Sequence, residues 1–201
     1  MKTKLIYIVA LLVLASCHSQ NAKDYVKSGM HKLQNKDNQG ALADINQAIQ
    51  IDPDLADGYE ARAIVEKRLS DYSKAIQDYK KAISLKPNNS HLYGFLGNAQ
   101  KEAKDYIGAI QSYTTEISKD PKLTEGYTNR ALARREAGDY QGALEDYTHA
   151  IAIKPGKGFY YSMRGDVKIE MSDKNGACDD FHKALALGYK EAEDDISSNC
   201  K

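Results

Sequence analysis

Residues 71–83, DYSKAIQDYKKAI, and residues 139–151, DYQGALEDYTHAI, are two copies of one pattern. The chain contains four prolines, and they are spaced 34 residues apart: Pro53, Pro87, Pro121 and Pro155. Proline and the residue before it both disfavour a continuing helix, so even spacing places a helix end at the same point of a repeated unit. A period of this length fits two helices and their turns. The sequence therefore predicts an all-α fold built from helical hairpins.

Five copies of the unit follow one another when the first begins at residue 22, covering residues 22–55, 56–89, 90–123, 124–157 and 158–189. Two positions of the repeat are small and two are large. Position 8 is Gly29, Ala63, Gly97, Ala131 and Gly165, and position 20 is Ala41, Ala75, Ala109, Ala143 and Ala177. Position 4 is tyrosine in each copy, and position 24 is Ile45, Tyr79, Tyr113, Tyr147 and Phe181. Small residues let two helices approach closely, while the large side chains fill the space beside them.

This pattern resembles the tetratricopeptide repeat family over residues 22–189. The resemblance implies a right-handed α-solenoid of five hairpins. A terminal segment, residues 190–201, carries Ala192, Ile196 and Cys200 at helical spacing, and we expect it to form a capping helix. Two residues depart from the pattern: Glu116 replaces a small residue at position 27, and Tyr189 replaces the fifth proline. Glu116 puts the local packing between repeats three and four in doubt. Tyr189 indicates that the array ends there.

The N-terminus resembles a bacterial lipoprotein signal. Two lysines precede the apolar run 5–15, which is too short to cross a bilayer, and small residues come directly before Cys17. The resemblance implies that a signal peptide, residues 1–16, is removed and that Cys17 is lipidated, with residues 17–21 as a short tether. The alternative is an ordinary signal with Cys17 incidental. We therefore expect an exported protein anchored to a membrane, and His18 favours the periplasmic face of an outer membrane if the organism has two membranes.

Two cysteines remain once Cys17 is set aside, namely Cys178 and Cys200. An exported protein meets an oxidising environment, so we expect a disulfide that links the last repeat to the capping helix. Two free buried thiols are the alternative. No CxxC spacing supports redox catalysis.

Arginine at position 7 and aspartate at position 23 occur together in repeats two, four and five: Arg62 with Asp78, Arg130 with Asp146, and Arg164 with Asp180. Repeat three has Leu96 and Ser112 instead and so loses both members; repeat one keeps Asp44 but has Ser28. We expect ion pairs between paired helices, within a repeat or between neighbours, each weak if exposed.

Several functions are disfavoured by what the sequence lacks. Basic and acidic residues are equal at 28 each, so there is no basic excess for nucleic acid. The five histidines have no metal-ligand spacing, and no nucleophile, phosphate-loop or zinc-protease motif occurs. We therefore expect neither a metal nor another cofactor, and no enzymatic activity.

The inner face of the solenoid is the expected binding surface, because the resemblance implies a groove built from the first helices. The candidate residues are Ile64, Lys67, Gly94, Asn98, Lys101, Thr128, Asn129, Leu132 and Arg135. Lys67, Lys101 and Arg135 would form a row of cations, and Gly94 would admit a ligand backbone or is simply tolerated there. The carboxylate-binding clamp of the family is not matched, since only Asn98 and Asn129 fit its register.

The resemblance implies a non-enzymatic scaffold or adaptor that binds a protein or peptide in the cell envelope. The alternative is a carrier or sensor that binds a peptide, glycan or peptidoglycan fragment in the same groove.

Overall fold

The computed structural model describes residues 21–200, and every regular element in that range is a helix. The first, α1, covers residues 21–34. The others are α2 (Asn38–Ile51), α3 (Ala56–Arg68), α4 (Tyr72–Leu85), α5 (Ser90–Glu102), α6 (Tyr106–Lys119), α7 (Thr124–Glu136), α8 (Tyr140–Ile153), α9 (Gly158–Glu170), α10 (Lys174–Ala186) and α11 (Ala192–Asn199). The predicted all-α class is confirmed. The helices belong to two compact units, one ending at Ala99 and the other beginning at Gln100.

The turn inside each hairpin is built from two adjacent positions of the repeat. At position 16 an aspartate side chain accepts a hydrogen bond from the backbone N–H three residues later and so caps the second helix. These caps are Asp37, Asp71, Asp105, Asp139 and Asp173. The residue before each cap has a positive φ, between 63° and 82°: Lys36, Ser70, Lys104, Gly138 and Ser172. Only Gly138 adopts this left-handed conformation without steric cost.

The core follows the small and large positions of the repeat. All five position-20 alanines are fully buried, and the position-24 side chains are at most 1% exposed. Close helix approach is visible at Gly165, where an added Cβ would lie 2.5 Å from Cε1 of Phe181. The expectation that small residues bring the two helices of a hairpin together is correct.

The position-4 tyrosines are half-buried rather than core residues, which corrects part of the sequence interpretation. The hydroxyl of Tyr59 donates to the carbonyl oxygen of Pro53 at 3.0 Å, and that of Tyr93 donates to Pro87 at 3.2 Å. The ring of Tyr59 also lies 5.6 Å from the guanidinium carbon of Arg62. Tyr59 and Tyr93 thus hold the proline turn, and Tyr59 also supports the position-7 arginine of its repeat.

Glu116 is accommodated inside the C-terminal unit by a neighbouring glycine. Its side chain is only 4% exposed, and its Oε2 atom has no hydrogen-bond partner among the described residues. At Gly126, an added Cβ would lie 3.3 Å from this oxygen and 2.9 Å from Cγ1 of Ile117. Burial, followed by the charges of Glu125 and Asp120, raises the pKa of Glu116 to about 7. The packing is therefore intact, at the cost of a buried carboxyl group.

The chain ends in the short helix α11, which packs against α10. Ala192 on α11 is fully buried, and the structure joins Cys178 and Cys200 in a disulfide with Cα atoms 5.6 Å apart. Tyr189, which stands in the place of a fifth proline, contacts Phe159 edge to face at 5.9 Å. These contacts tie the terminal segment to the last hairpin.

Candidate functional site

A pocket of about 310 Å³ lies on α1 and α3 in the N-terminal unit. Its apolar lining comes from positions 5, 6 and 9 of the first helices, and its polar lining comes from α3. The lining residues are Val26, Met30, Asp57, Glu60, Ala61 and Ile64. These are the positions from which the family resemblance predicted a groove, and the pocket includes one of the predicted residues, Ile64.

The two acidic residues of this pocket have different surroundings. Lys86 donates a 2.5 Å hydrogen bond to Oδ1 of Asp57, so this carboxylate is already paired. Burial raises the pKa of the Glu60 carboxyl, and the negative charge of Asp57 adds to the effect. A positively charged group placed at Glu60 would favour the ionised form. The pocket thus combines an apolar floor with one acidic group suited to a cation.

The other predicted groove residues of the N-terminal unit are partly covered. Ile64, Lys67 and Asn98 are half-buried, and Gly94 is buried. Gly94 is therefore not an open groove position, contrary to the expectation that a ligand backbone approaches it.

In the C-terminal unit, the predicted residues Lys101, Asn129, Leu132 and Arg135 are half-buried. Thr128 is buried and its hydroxyl donates to the carbonyl oxygen of Glu125 at 3.1 Å. Nε of Arg135 donates to Oε1 of Glu170 at 2.8 Å, which neutralises one member of the predicted cation row. This pairing lowers the pKa of Glu170.

The predicted arginine–aspartate pairs form within repeats, and each is bidentate. Nε and Nη2 of Arg130 donate to the two carboxylate oxygens of Asp146 at 2.9 and 2.7 Å. The pairs of repeats two and five, Arg62–Asp78 and Arg164–Asp180, have the same geometry. The Asp146 side chain is only 1% exposed and the other two pairs are partly buried, so none of the three is a fully exposed surface contact.

Each of these arginines also reaches the preceding repeat, a contact that sequence reasoning missed. Nη1 of Arg130 donates to Oγ1 of Thr114 at 2.9 Å, and Nη1 of Arg164 donates to Thr148 at 3.2 Å. In the N-terminal unit Arg62 donates to Oδ1 of Asn46 at 2.9 Å. The acceptors all occupy position 25 of the preceding repeat. A comparison of position 7 in each repeat with position 25 in the repeat before it could have found them. The arginines therefore link neighbouring hairpins inside each unit.

Two repeats match family models described as tetratricopeptide repeat, at residues 56–89 and 124–157. The chain is a tetratricopeptide repeat protein. Solved structures with this fold include MamA of Desulfovibrio magneticus, with 19% identity, coverage of 85% of this chain and 96% of that chain, and a TM-score of 0.77. PilF of Pseudomonas aeruginosa has 19% identity, 90% coverage of both chains and a TM-score of 0.70. At such identities the likeness shows the fold alone. No curated protein sequence matches this chain closely enough to count as a relative.

YrrB, which has been solved as a tetratricopeptide repeat protein with an unusual peptide-binding site, has 18% identity. The match covers 81% of this chain and 84% of the YrrB chain, with a TM-score of 0.69. Proteins of the tetratricopeptide repeat family bind protein or peptide partners and generally act as non-enzymatic scaffolds.

Between residues 21 and 200, no cluster of histidine, cysteine or acidic side chains has the arrangement of a metal site. None of the helices described for this repeat protein has the length and apolar character to span a bilayer. The predicted signal peptide, the lipidated Cys17 and residues 18–20 of the tether lie outside the described residues, whereas Asn21 belongs to α1.

Proposed function

We propose that the chain is a lipid-anchored, non-enzymatic scaffold that binds a protein or peptide partner in a bacterial cell envelope. The observation that carries the binding part is the apolar pocket on α1 and α3, because it uses groove positions of two successive hairpins. A shallow apolar pocket with one acidic group suits a side chain of an extended or helical segment. YrrB has a peptide-binding site on the same fold, which supports this assignment.

The anchor rests on the sequence alone. A basic start, a short apolar run and a cysteine after small residues are the features of an exported lipoprotein, and His18 favours the outer membrane where there are two. More than one acyl chain gives stable membrane attachment, whereas a single chain does not. Mass spectrometry of the mature protein tests this directly. We expect an acylated N-terminal Cys17, and a mature N-terminus elsewhere or an unmodified cysteine would refute the anchor.

The binding part is tested by capture of partners from detergent-solubilised envelopes. We expect the wild-type protein to recover one partner stoichiometrically and Glu60→Lys, which reverses a charge in the pocket, to lose it. The matched control is Ile107→Ala, which changes a 63%-exposed apolar residue outside the pocket and should retain the partner. If Glu60→Lys retains the partner as well, the pocket is not its binding site.

The carrier alternative gives a different result in the same setting. A protein that binds a cell-wall fragment should recover no stoichiometric protein, and its melting temperature should rise when peptidoglycan fragments are added. That combination would replace the scaffold proposal.

A further inference from the structure

Position 11 of the repeat faces the position-23 aspartate and supplies a cation to it in three repeats, as the second cation in repeats four and five and in place of the position-7 arginine in repeat one. In repeat one, Nζ of Lys32 lies 2.7 Å from Oδ2 of Asp44. In repeat four, Nη1 of Arg134 lies 3.0 Å from Oδ2 of Asp146, and in repeat five Nζ of Lys168 lies 2.8 Å from Oδ2 of Asp180. We call this place beside the aspartate the position-11 slot. In these three repeats a cation fills it.

Repeat three shows that the two positions change together. Position 11 is Gln100 and position 23 is Ser112, and Oγ of Ser112 donates to Oε1 of Gln100 at 2.6 Å. A neutral pair therefore replaces the cation and the carboxylate, and both side chains remain buried.

Repeat two is the exception, because its slot holds Glu66 opposite Asp78. Glu66 is only 7% exposed, and its Oε2 atom has no hydrogen-bond partner among the described residues. Burial and then the charge of Asp78 raise the pKa of Glu66 to about 7. Two carboxyl groups thus meet where other repeats place a cation, an arrangement that is costly unless a positive charge is supplied.

The charged groups around Glu66 are committed elsewhere. The guanidinium group of Arg62 donates hydrogen bonds to both carboxylate oxygens of Asp78 and to Oδ1 of Asn46. Lys74 of α4 lies 2.6 Å from Oδ2 of Asp71, at the start of that helix. Among the described residues, no hydrogen-bond donor reaches the Oε2 atom of Glu66.

An open pocket of about 460 Å³ adjoins the pair. Its walls come from α2, α3 and α4, and its lining residues are Leu42, Asn46, Arg62, Glu66, Lys74, Gln77 and Asp78. This volume is many times the ~30 Å³ of one water molecule, so it has room for a long side chain. Leu42 offers apolar contact to a methylene stem, while the carboxyl groups lie at the polar end.

We propose that the Glu66–Asp78 pair is a binding site for a lysine or arginine side chain of a partner protein, which enters through the adjoining open pocket and places its cation beside Glu66. The other repeats supply the template, since Lys32 and Lys168 show that the slot accepts an ammonium group beside the aspartate. A bound cation favours the ionised form of the Glu66 carboxyl group and so displaces its proton. This site is separate from the apolar pocket on α1 and α3, so it does not depend on the proposed scaffold function.

The test uses the full mature chain at pH 8 and two peptides, acetyl-Ala-Lys-Ala-amide and its norleucine counterpart, which lacks only the ammonium group. Binding is followed by the carbon-13 signal of the Glu66 carboxyl group. We expect the lysine peptide to bind in the millimolar range and the norleucine peptide at least about tenfold more weakly. The pKa of Glu66, read from the same signal, should fall when the lysine peptide is saturating.

Glu66→Lys places an internal cation in the slot, as in repeats one and five, and should abolish binding. Glu66→Gln serves the same purpose if the lysine variant does not fold. Glu136→Lys makes the same charge change at an exposed glutamate of α7 and should retain binding. Three results would each overturn the proposal: no binding of the lysine peptide, equal binding of both peptides, or undiminished binding by Glu66→Lys or Glu66→Gln. Loss of binding in Glu136→Lys would do so too, because it would indicate general charge attraction.

Discussion

Replacing Glu116 by glutamine should stabilise the protein at high pH and leave its stability at low pH unchanged. Glu116 is buried near the C-terminus of α6, where the helix dipole also disfavours a negative charge. Its pKa is raised from 4.5 to about 7, chiefly by burial. Glutamine keeps the shape of the side chain and removes the charge.

The size and sign follow from this pKa difference. Since the folded protein binds the proton more tightly than the unfolded chain, protonation of Glu116 stabilises the fold fully below about pH 4.5, and that stabilisation is lost as the pH rises through about 7. The pKa rises by about 2.5, and at about 1.4 kcal/mol for each pKa unit this gives an upper limit of about 3.5 kcal/mol. We expect Glu116→Gln to gain about 1–3 kcal/mol over the wild type at pH 8 and close to none at pH 4.

Urea unfolding at a series of pH values, followed by circular dichroism, measures this effect. Glu66 titrates in the same direction in the wild type and in the variant, so the difference between the two curves isolates Glu116. The control is Glu136→Gln, which changes an exposed glutamate of α7 and should give no pH-dependent difference. Parallel curves for the wild type and Glu116→Gln would show that Glu116 is not a buried, destabilising charge.

Three further predictions concern the contacts that define the repeats. A double-mutant cycle on Arg130 and Asp146 should give a coupling energy above about 1 kcal/mol, because the pair is bidentate and buried; zero coupling would contradict that burial. Gly138→Lys should destabilise by about 1–2 kcal/mol and Lys104→Gly should stabilise by somewhat less, as measured by thermal melting, because both positions require a positive φ. Cys200→Ser should lower the free energy of unfolding, measured in urea without reductant, by about 3 kcal/mol, because it removes the disulfide to Cys178. Free thiols in the mass spectrum of the unreduced wild-type protein would contradict this explanation.

The regular parts of the fold were predictable because they repeat. Alanine at position 20 and the large residue at position 24 recur in all five copies, and the structure buries both sets in every hairpin. The arginine–aspartate pairs were also predictable, since repeat three has Leu96 and Ser112 at these positions and so lacks both members of the pair together. A period of 34 residues turns one chain into five observations of the same site, which is why periodic residues could be interpreted so directly.

Burial and pairing were harder to predict, because they depend on neighbours that the period does not reveal. Arg135 was expected in an open row of cations, but Glu170, one repeat later and one position further on, pairs with it. Gly94 and Thr128 were assigned to the groove floor on register alone, and both are buried. Register identifies the face of a helix, whereas the exposed fraction of a side chain also depends on what packs over that face.

Differences between repeats are therefore more informative about function than the shared pattern. Glu116 deviates at position 27, and the missing side chain of Gly126 makes room for it. Gln100 deviates at position 11, and Ser112 supplies a matching hydrogen bond. Glu66 deviates at position 11 as well, yet Asp78 is unchanged, and within the described part of the chain no hydrogen bond reaches the Oε2 atom of Glu66. Ser112 satisfies Gln100 inside the same unit, whereas Glu116 and Glu66 each keep an Oε2 atom that has no hydrogen-bond partner among the described residues. Glu66 also lines an open pocket. A partner's cation would supply at Glu66 the interaction that Ser112 supplies at Gln100.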